Sequence, residues 1–215
     1  MQLLIVAKRP LPGRAKTRLI PRYGEEGSAA LAAAALADTF GAARRCGAER
    51  VVVAFDGDPT GIVPPEFDVV PQGHGDLAAR LADAWRHVRG PALQIGMDTP
   101  QVTGAHLDAA FATLAEPDTD AVLGLATDGG WWALGLRQPA DVFAGIETSR
   151  SDTGQRQLDR LRALGLATRL LPTRRDVDEP DDVELVADAA PGTRFAEAAR
   201  ALRGASSPLI PAPRS

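Results

Sequence analysis

Cysteine is almost missing from this chain. Cys46 is the only one in 215 residues, which excludes an internal disulfide framework, and the neighbourhood Ala42-Ala-Arg-Arg-Cys-Gly47 offers no second metal ligand. Histidine is nearly as scarce: His74, His87 and His106 stand apart at no metal-ligand spacing, and no Ser-His-Asp order supports triad hydrolysis. No stretch approaches the ~18 consecutive apolar residues of a membrane span. The short apolar start is followed by Lys8 and Arg9, where a secretory signal would have them first. The expectation is a cytoplasmic protein without a membrane partner. Cations are outnumbered, 24 against 28 carboxylates, and a pI near 5.4 argues against a general nucleic-acid binder, which needs a broad basic face. Neither repeats nor a second core can be seen. A chain of this length suits one large domain that buries roughly 70–75% of its unfolded surface.

What is present is charge in concentrated form. Residues 1–24 hold six cations and no anion, whereas Asp176–Asp188 hold seven carboxylates and no cation, which suggests an anionic ligand at one lip of a site and a cation at the other. Five of those cations lie in Lys8–Arg18, a turn punctuated by Pro10, Pro12 and Gly13, directly after the apolar run Leu3–Val6. So short a run suits a buried strand. A basic turn behind such a strand sets cations and backbone N–H groups where a polyphosphate can be held.

Further periodicities predict strands over 50–55, 67–70, 92–97, 120–125, 131–136 and 167–171. Helices are predicted over 28–45 with Ser28 as its cap, 76–88, 103–114, 153–164, 180–188 and 195–202. This rhythm predicts an α/β protein of three layers, α/β/α, with a mostly parallel mixed sheet and one domain over 1–205. A Pro/Ser tail over 206–215 reads as disordered. In such sheets ligands gather outside the carboxyl ends of the strands. The motifs Lys8–Arg18, Asp56-Gly-Asp58, Gln72-Gly-His-Gly-Asp76 and Asp98-Thr-Pro100 all follow predicted strands.

Two familiar nucleotide signatures fail. A Walker loop with its lysine at Lys16 needs glycines where Pro10 and Ala15 stand. Gly73-His-Gly-Asp-Leu-Ala78, with Asp98 as ribose acid, matches a dinucleotide fingerprint only weakly, because its strand is short and not the first. The acids carry more. Asp98 ends a buried strand, Asp178 follows another, and Mg²⁺ needs only one or two carboxylates beside substrate phosphates and water. In Thr127-Asp128-Gly129-Gly130-Trp131-Trp132, two glycines admit a close backbone approach and an aromatic can cover a base or sugar; a tight turn between strands explains the same residues.

Together, Ala7-Lys8-x-Pro10-x-Pro12-Gly13-x-x-Lys16-Thr17-Arg18-Leu19, Gln72-Gly-x-Gly-Asp-Leu77, Gly96-x-Asp98-x-Pro100, Asp128-Gly-Gly-Trp131 and Asp176-Val-Asp178-x-Pro180 resemble the radical-SAM/selenodomain-associated transferases of GT-A type. Molybdenum cofactor and phospholactate guanylyltransferases belong to the same superfamily, with the nucleotide-diphospho-sugar transferase fold. The resemblance implies that Lys8, Gly13, Arg14, Lys16 and Arg18 bind the nucleotide phosphates. It implies that Gln72, Gly73, Gly75 and Asp76, with Gly129 and Gly130, complete the nucleotide site. Asp98 and Asp178 would hold Mg²⁺ or Mn²⁺; Lys16, Asp98 and Asp128 would take the catalytic roles. Met97 and Thr99 stand where relatives commonly have a small residue and cysteine, and Thr127 and Trp131 replace their Glu and Tyr, departures that bear on the acceptor pocket more than on the metal site.

The reaction type is open between two chemistries. A nucleoside triphosphate carries about two more negative charges than a nucleotide sugar, and each charge-assisted contact is worth ~1.5–3 kcal/mol, so four cations favour the triphosphate. The expectation is nucleotidyl transfer to a small phosphorylated or hydroxyl acceptor, with pyrophosphate leaving against Lys16 and Arg18. The alternatives are an inverting glycosyltransferase, in which Asp128 helps deprotonate the acceptor, and a nucleotide-binding protein without turnover. Base preference and oligomeric state are left open.

Overall fold

The apolar start becomes the central strand. In the computed structural model, which describes residues 1–147 and 151–205, β1 (Gln2–Lys8) buries Leu3, Leu4 and Ile5 completely. Successive side chains of a strand point to opposite faces, so a continuous apolar run implies cover on both. Leu3 and Ile5 share an apolar cluster with Leu36 and Phe40 of α1 (Ile20–Arg45) and Leu107 and Phe111 of α3 (Gly104–Ala115). Leu4 belongs to the opposite cluster, with Leu81 and Trp85 of α2 (Leu77–Trp85) and Leu158 and Leu161 of α4 (Thr153–Ala163). These are the three layers expected.

β1 pairs in parallel with β2 (Arg50–Asp56) on one side and β4 (Ala92–Ile95) on the other, and β3 (Asp68–Pro71) extends the sheet beyond β2. Past β4 come β6 (Trp131–Leu136), β5 (Ala121–Ala126) and β7 (Thr168–Arg174), giving the order 3-2-1-4-6-5-7. Among these strands β6 alone is antiparallel to its neighbours. The reason is chain length: residues 127–130 between β5 and β6 are too few for a crossover, so the pair must close as a hairpin. That reversal brings the β5–β6 turn to the edge where the parallel strands end.

A third apolar cluster joins the chain's beginning to its end. Leu19, which follows the basic turn, lies in it with Leu31 and Ala35 of α1, Val177, Val183 and Val186 around α5 (Pro180–Ala189), and Phe195 and Ala199 of α6 (Arg194–Ala205). No helix among the described residues is long and apolar enough to cross a membrane.

Three local expectations change. Ser28 does not cap the first helix, which already begins at Ile20 with Pro21 in its first turn; Gly24 (φ 70°, ψ 173°) interrupts it, and the buried Ser28 hydroxyl donates to the Gly24 carbonyl at 2.7 Å. β7 runs past Leu171 to Arg174, because an edge strand tolerates Pro172 at a position with no ladder to break. Asp76 and Thr103 lie one residue outside their helices as N-caps, accepting from Ala79 N at 2.8 Å and His106 N at 3.3 Å. The tail expected from Ser206 is outside the described residues.

Phe195, 1% exposed, is the largest side chain in the cluster that docks α5 and α6. Phe195→Ala should cost about 3–5 kcal/mol and lower Tm by roughly 6–20 °C in thermal denaturation.

Candidate active site

The basic turn is built to present one side chain. The N–H groups of Arg14 and Ala15 both donate to the Leu11 carbonyl at 3.0 Å, Gly13 turns at φ +70°, and Ala15 is buried as a plug beneath the loop. Lys16 follows at φ 48°, ψ 49°, the only non-glycine residue with positive φ among the described residues. Left-handed backbone costs a side-chain-bearing residue about 1–2 kcal/mol, so its surroundings must hold it there. Thr17–Leu19 then form a 3-10 turn that drops Leu19 into the third cluster.

The side chain of Lys16 is 8% exposed and reaches across to the far end of the sequence. Its Nζ lies 2.5 Å from Asp98 Oδ1 and 2.9 Å from Asp178 Oδ1, and it also donates to the Val177 carbonyl. The Val177 N–H in turn donates to the Asp98 carbonyl at 2.9 Å, which fastens the two acidic segments together behind the ammonium. Burial pulls against the charged form of Lys16, but Asp98 and then Asp178 outweigh it and hold the ammonium above its ordinary pKa. Asp178 is likewise raised by burial and lowered by Lys16, with a net shift downward, so both partners are ionised.

Behind Asp178 stands a second acidic group. Carboxylate oxygens of Asp128, Asp176 and Asp178 lie within 4.8 Å of one another. Burial, then Asp128, then Asp178 push Asp176 up to about 7. Sequence reading gives Asp176 no role; the signal was the Asp-x-Asp spacing just after a strand. Oxygen donors of this kind suit Mg²⁺ or Mn²⁺. The fit is supported by charge: the pocket between Asp98 and Asp178 already accommodates a cation, the Lys16 ammonium.

Lys16, Asp98 and Asp178 line a cleft of about 200 Å³ with Lys8, Arg18 and Met97. Arg18 Nη1 lies 3.5 Å from Glu179 and 3.9 Å from Asp178, and the Lys8 N–H meets Met97 Sδ at 3.5 Å. Of the predicted phosphate ligands, Lys8, Lys16 and Arg18 thus converge with Asp98 and Asp178. Gly13 shapes the turn, and Arg14 is exposed outside the cleft lining.

The structure uses the glycine motifs for its own backbone. The amide nitrogen of Gln72 donates to the carbonyls of Ala7 at 2.7 Å and Ala54 at 3.2 Å, bracing the ends of β1 and β2. A Cβ on Gly73 would lie 2.7 Å from Asp83 Oδ2, Gly75 turns at φ +101° into the cap, and Asp76 is that cap. Gly129 N–H and Gly130 N–H close the β5–β6 turn onto Ala126 and onto Asp128 Oδ1 at 2.7 Å. A Cβ on Gly129 would sit 1.8 Å from the Ser151 carbonyl, so that glycine admits the start of α4. Trp132 is a core residue whose Nε1 donates to Pro172 at 3.1 Å, whereas Trp131 is partly exposed and stacks on Phe143 at 6.5 Å between centroids.

A carboxyl group with a raised pKa is stabilised in its protonated form by the fold. The native state therefore binds more protons than the unfolded chain between the ordinary carboxylate value and about 7, and stability falls as pH rises through that window. In metal-free buffer, Asp176→Asn should lack this loss: its Tm relative to wild type should climb from pH 4 to pH 7 and level off above, read by thermal denaturation at each pH.

Comparison with solved structures identifies the fold. A protein from Desulfovibrio desulfuricans G20, described as a candidate nucleotide-diphospho-sugar transferase, is 24% identical over 95% of this chain and 94% of its own, with a TM-score of 0.81. Rv0371C from Mycobacterium tuberculosis H37Rv, in complex with manganese, is 22% identical over 87% of this chain and 98% of its own, with a TM-score of 0.54. The 2-C-methyl-D-erythritol 4-phosphate cytidylyltransferase of Thermus thermophilus is 17% identical over 89% of this chain and 100% of its own, with a TM-score of 0.52. Such likeness establishes the GT-A, nucleotide-diphospho-sugar transferase fold. No curated protein matches the sequence. The model of the family described as "Uncharacterized protein conserved in bacteria (DUF2064)" matches residues 30–150, which is more than half of the chain and spans Asp98 and Asp128, and to that family the chain belongs.

Proposed function

We propose that this protein is a metal-dependent, cytoplasmic transferase of the GT-A superfamily, akin to the radical-SAM-associated branch. It moves a nucleotidyl group from a nucleoside triphosphate to a small phosphorylated or hydroxyl acceptor and releases pyrophosphate. One observation carries the reading: a cationic loop and two aspartates far apart in sequence meet in one cleft at the carboxyl ends of the parallel strands. The cytidylyltransferase and the manganese-bound protein of the same fold support it, as chemistry this scaffold hosts.

Asp98 and Asp178 are the residues that would hold Mg²⁺ or Mn²⁺, with Asp176 and Asp128 grouped with Asp178. A bound ion would supply charge neutralisation on the phosphates. Lys8, Lys16 and Arg18 supply the protein's own positive charge along the same cleft, complementary to the negative charge of a triphosphate and of departing pyrophosphate. Single-domain organisation over 1–205 belongs to the same proposal. No protein nucleophile is required.

A glycosyl-transfer reading is supported by two observations: the candidate sugar-nucleotide transferase with a TM-score of 0.81, and the exposure of Asp128, the carboxylate that this reading makes the base for a hydroxyl acceptor. A thermal-shift panel of common triphosphates and nucleotide sugars, with and without Mg²⁺, separates the two. Triphosphates should raise Tm in a Mg²⁺-dependent way; stabilisation by UDP- or GDP-sugars alone would overturn nucleotidyl transfer. Asp98→Asn, tested on whichever donor binds, should lower metal-dependent turnover beyond the ~10–100-fold that loss of an outer-shell metal partner costs. Unchanged turnover would remove Asp98 from the metal site.

A further inference from the structure

Lysine is used twice in this chain. Of its 24 basic residues only Lys8 and Lys16 are lysines, and both line the same cleft. The difference between them is position. Lys8 is exposed and, among the described residues, has no ion pair; Lys16 is 8% exposed and touches Asp98, Asp178 and the Val177 carbonyl. An ammonium is a compact point charge with three donors, and here it has three oxygen partners around it, the environment that a hard divalent ion seeks. An arginine fork in the same place would need planar, bidentate partners.

We infer that Lys16 is a built-in competitor of the divalent metal: its ammonium occupies the cation position between Asp98 and Asp178, and metal binding requires it to leave. The inference rests on the proposed metal site and adds a coupling to it. A lysine displaced from the two aspartates has an anionic partner only when polyphosphate is present, so metal and polyphosphate bind with mutual reinforcement and either alone binds weakly. The left-handed backbone of Lys16 suits such a role, since the ion pairs that hold it there are the contacts given up on displacement.

Mn²⁺ titration followed by electron paramagnetic resonance tests this on the full chain without any turnover assay. Lys16→Met should bind Mn²⁺ about 5- to 150-fold more tightly than wild type, the range of ordinary site coupling, and inorganic triphosphate should strengthen Mn²⁺ binding to wild type but not to the variant. A second measurement needs no variant. Lysine acetylation read by peptide mass spectrometry should leave Lys16 protected in metal-free wild type and reactive once Mg²⁺ is added, with the exposed Lys8 as internal control. Equal Mn²⁺ affinity in both proteins, or Lys16 reactivity indifferent to Mg²⁺ that binds, overturns the competition alone. Failure of both proteins to bind Mn²⁺ overturns the metal site and the competition together.

Discussion

One ammonium holds the site in being. Lys16 is joined to Asp178 across 162 residues of sequence and to Asp98 in the segment that follows β4, and no other side chain links the basic turn to both acidic segments among the described residues. Take away its charge and two carboxylates face each other uncompensated in a partly buried cleft; take away the carboxylates and a buried lysine loses every ionic partner. Either half is costly alone. The surrounding structure is arranged to prevent this: Leu19 and Val177, each adjacent to the charged residues, are buried in the same apolar cluster, so burial of hydrocarbon sets the distance at which the ions meet.

Most of the layering was readable from residue order. The strand at Trp131–Leu136 has the bounds that periodicity predicts, β1, β2, β5 and the helices after α1 differ at their ends by a few residues, and β4 stops at Ile95, two residues short of its predicted end. Ser28 misled because serine before an alanine-rich run looks like a cap, while the earlier turn from Ile20 is held by Pro21 and by packing that local pattern does not reveal. β7 was cut short at Pro172 by a rule that holds for interior strands and fails at an edge.

For the site, position along the chain was legible and side-chain direction was not. Lys16, Asp98 and Asp178 were marked by charge next to buried strands. Gln72, Gly73, Gly75, Gly129 and Gly130 were marked by the same turn chemistry, and in the structure they take part in strand bracing, a helix cap and a tight hairpin. A glycine that admits a ligand and one that admits a neighbouring backbone look identical in a string of letters. Asp176 was missed for the opposite reason, since its raised pKa comes first from burial and then from Asp128 of the β5–β6 turn and from Asp178, and is invisible until the sheet is assembled.

The span between Lys16 and Asp178 has a consequence for biosynthesis. During translation the cationic turn is made directly after β1, but its acidic counterpart Asp178 only after β7, the last strand of the sheet. Contacts of such sequence separation close late, after loop-closure entropy has been overcome by the sheet. Products terminated before β7 therefore carry the basic turn without the Asp178 side of the cleft.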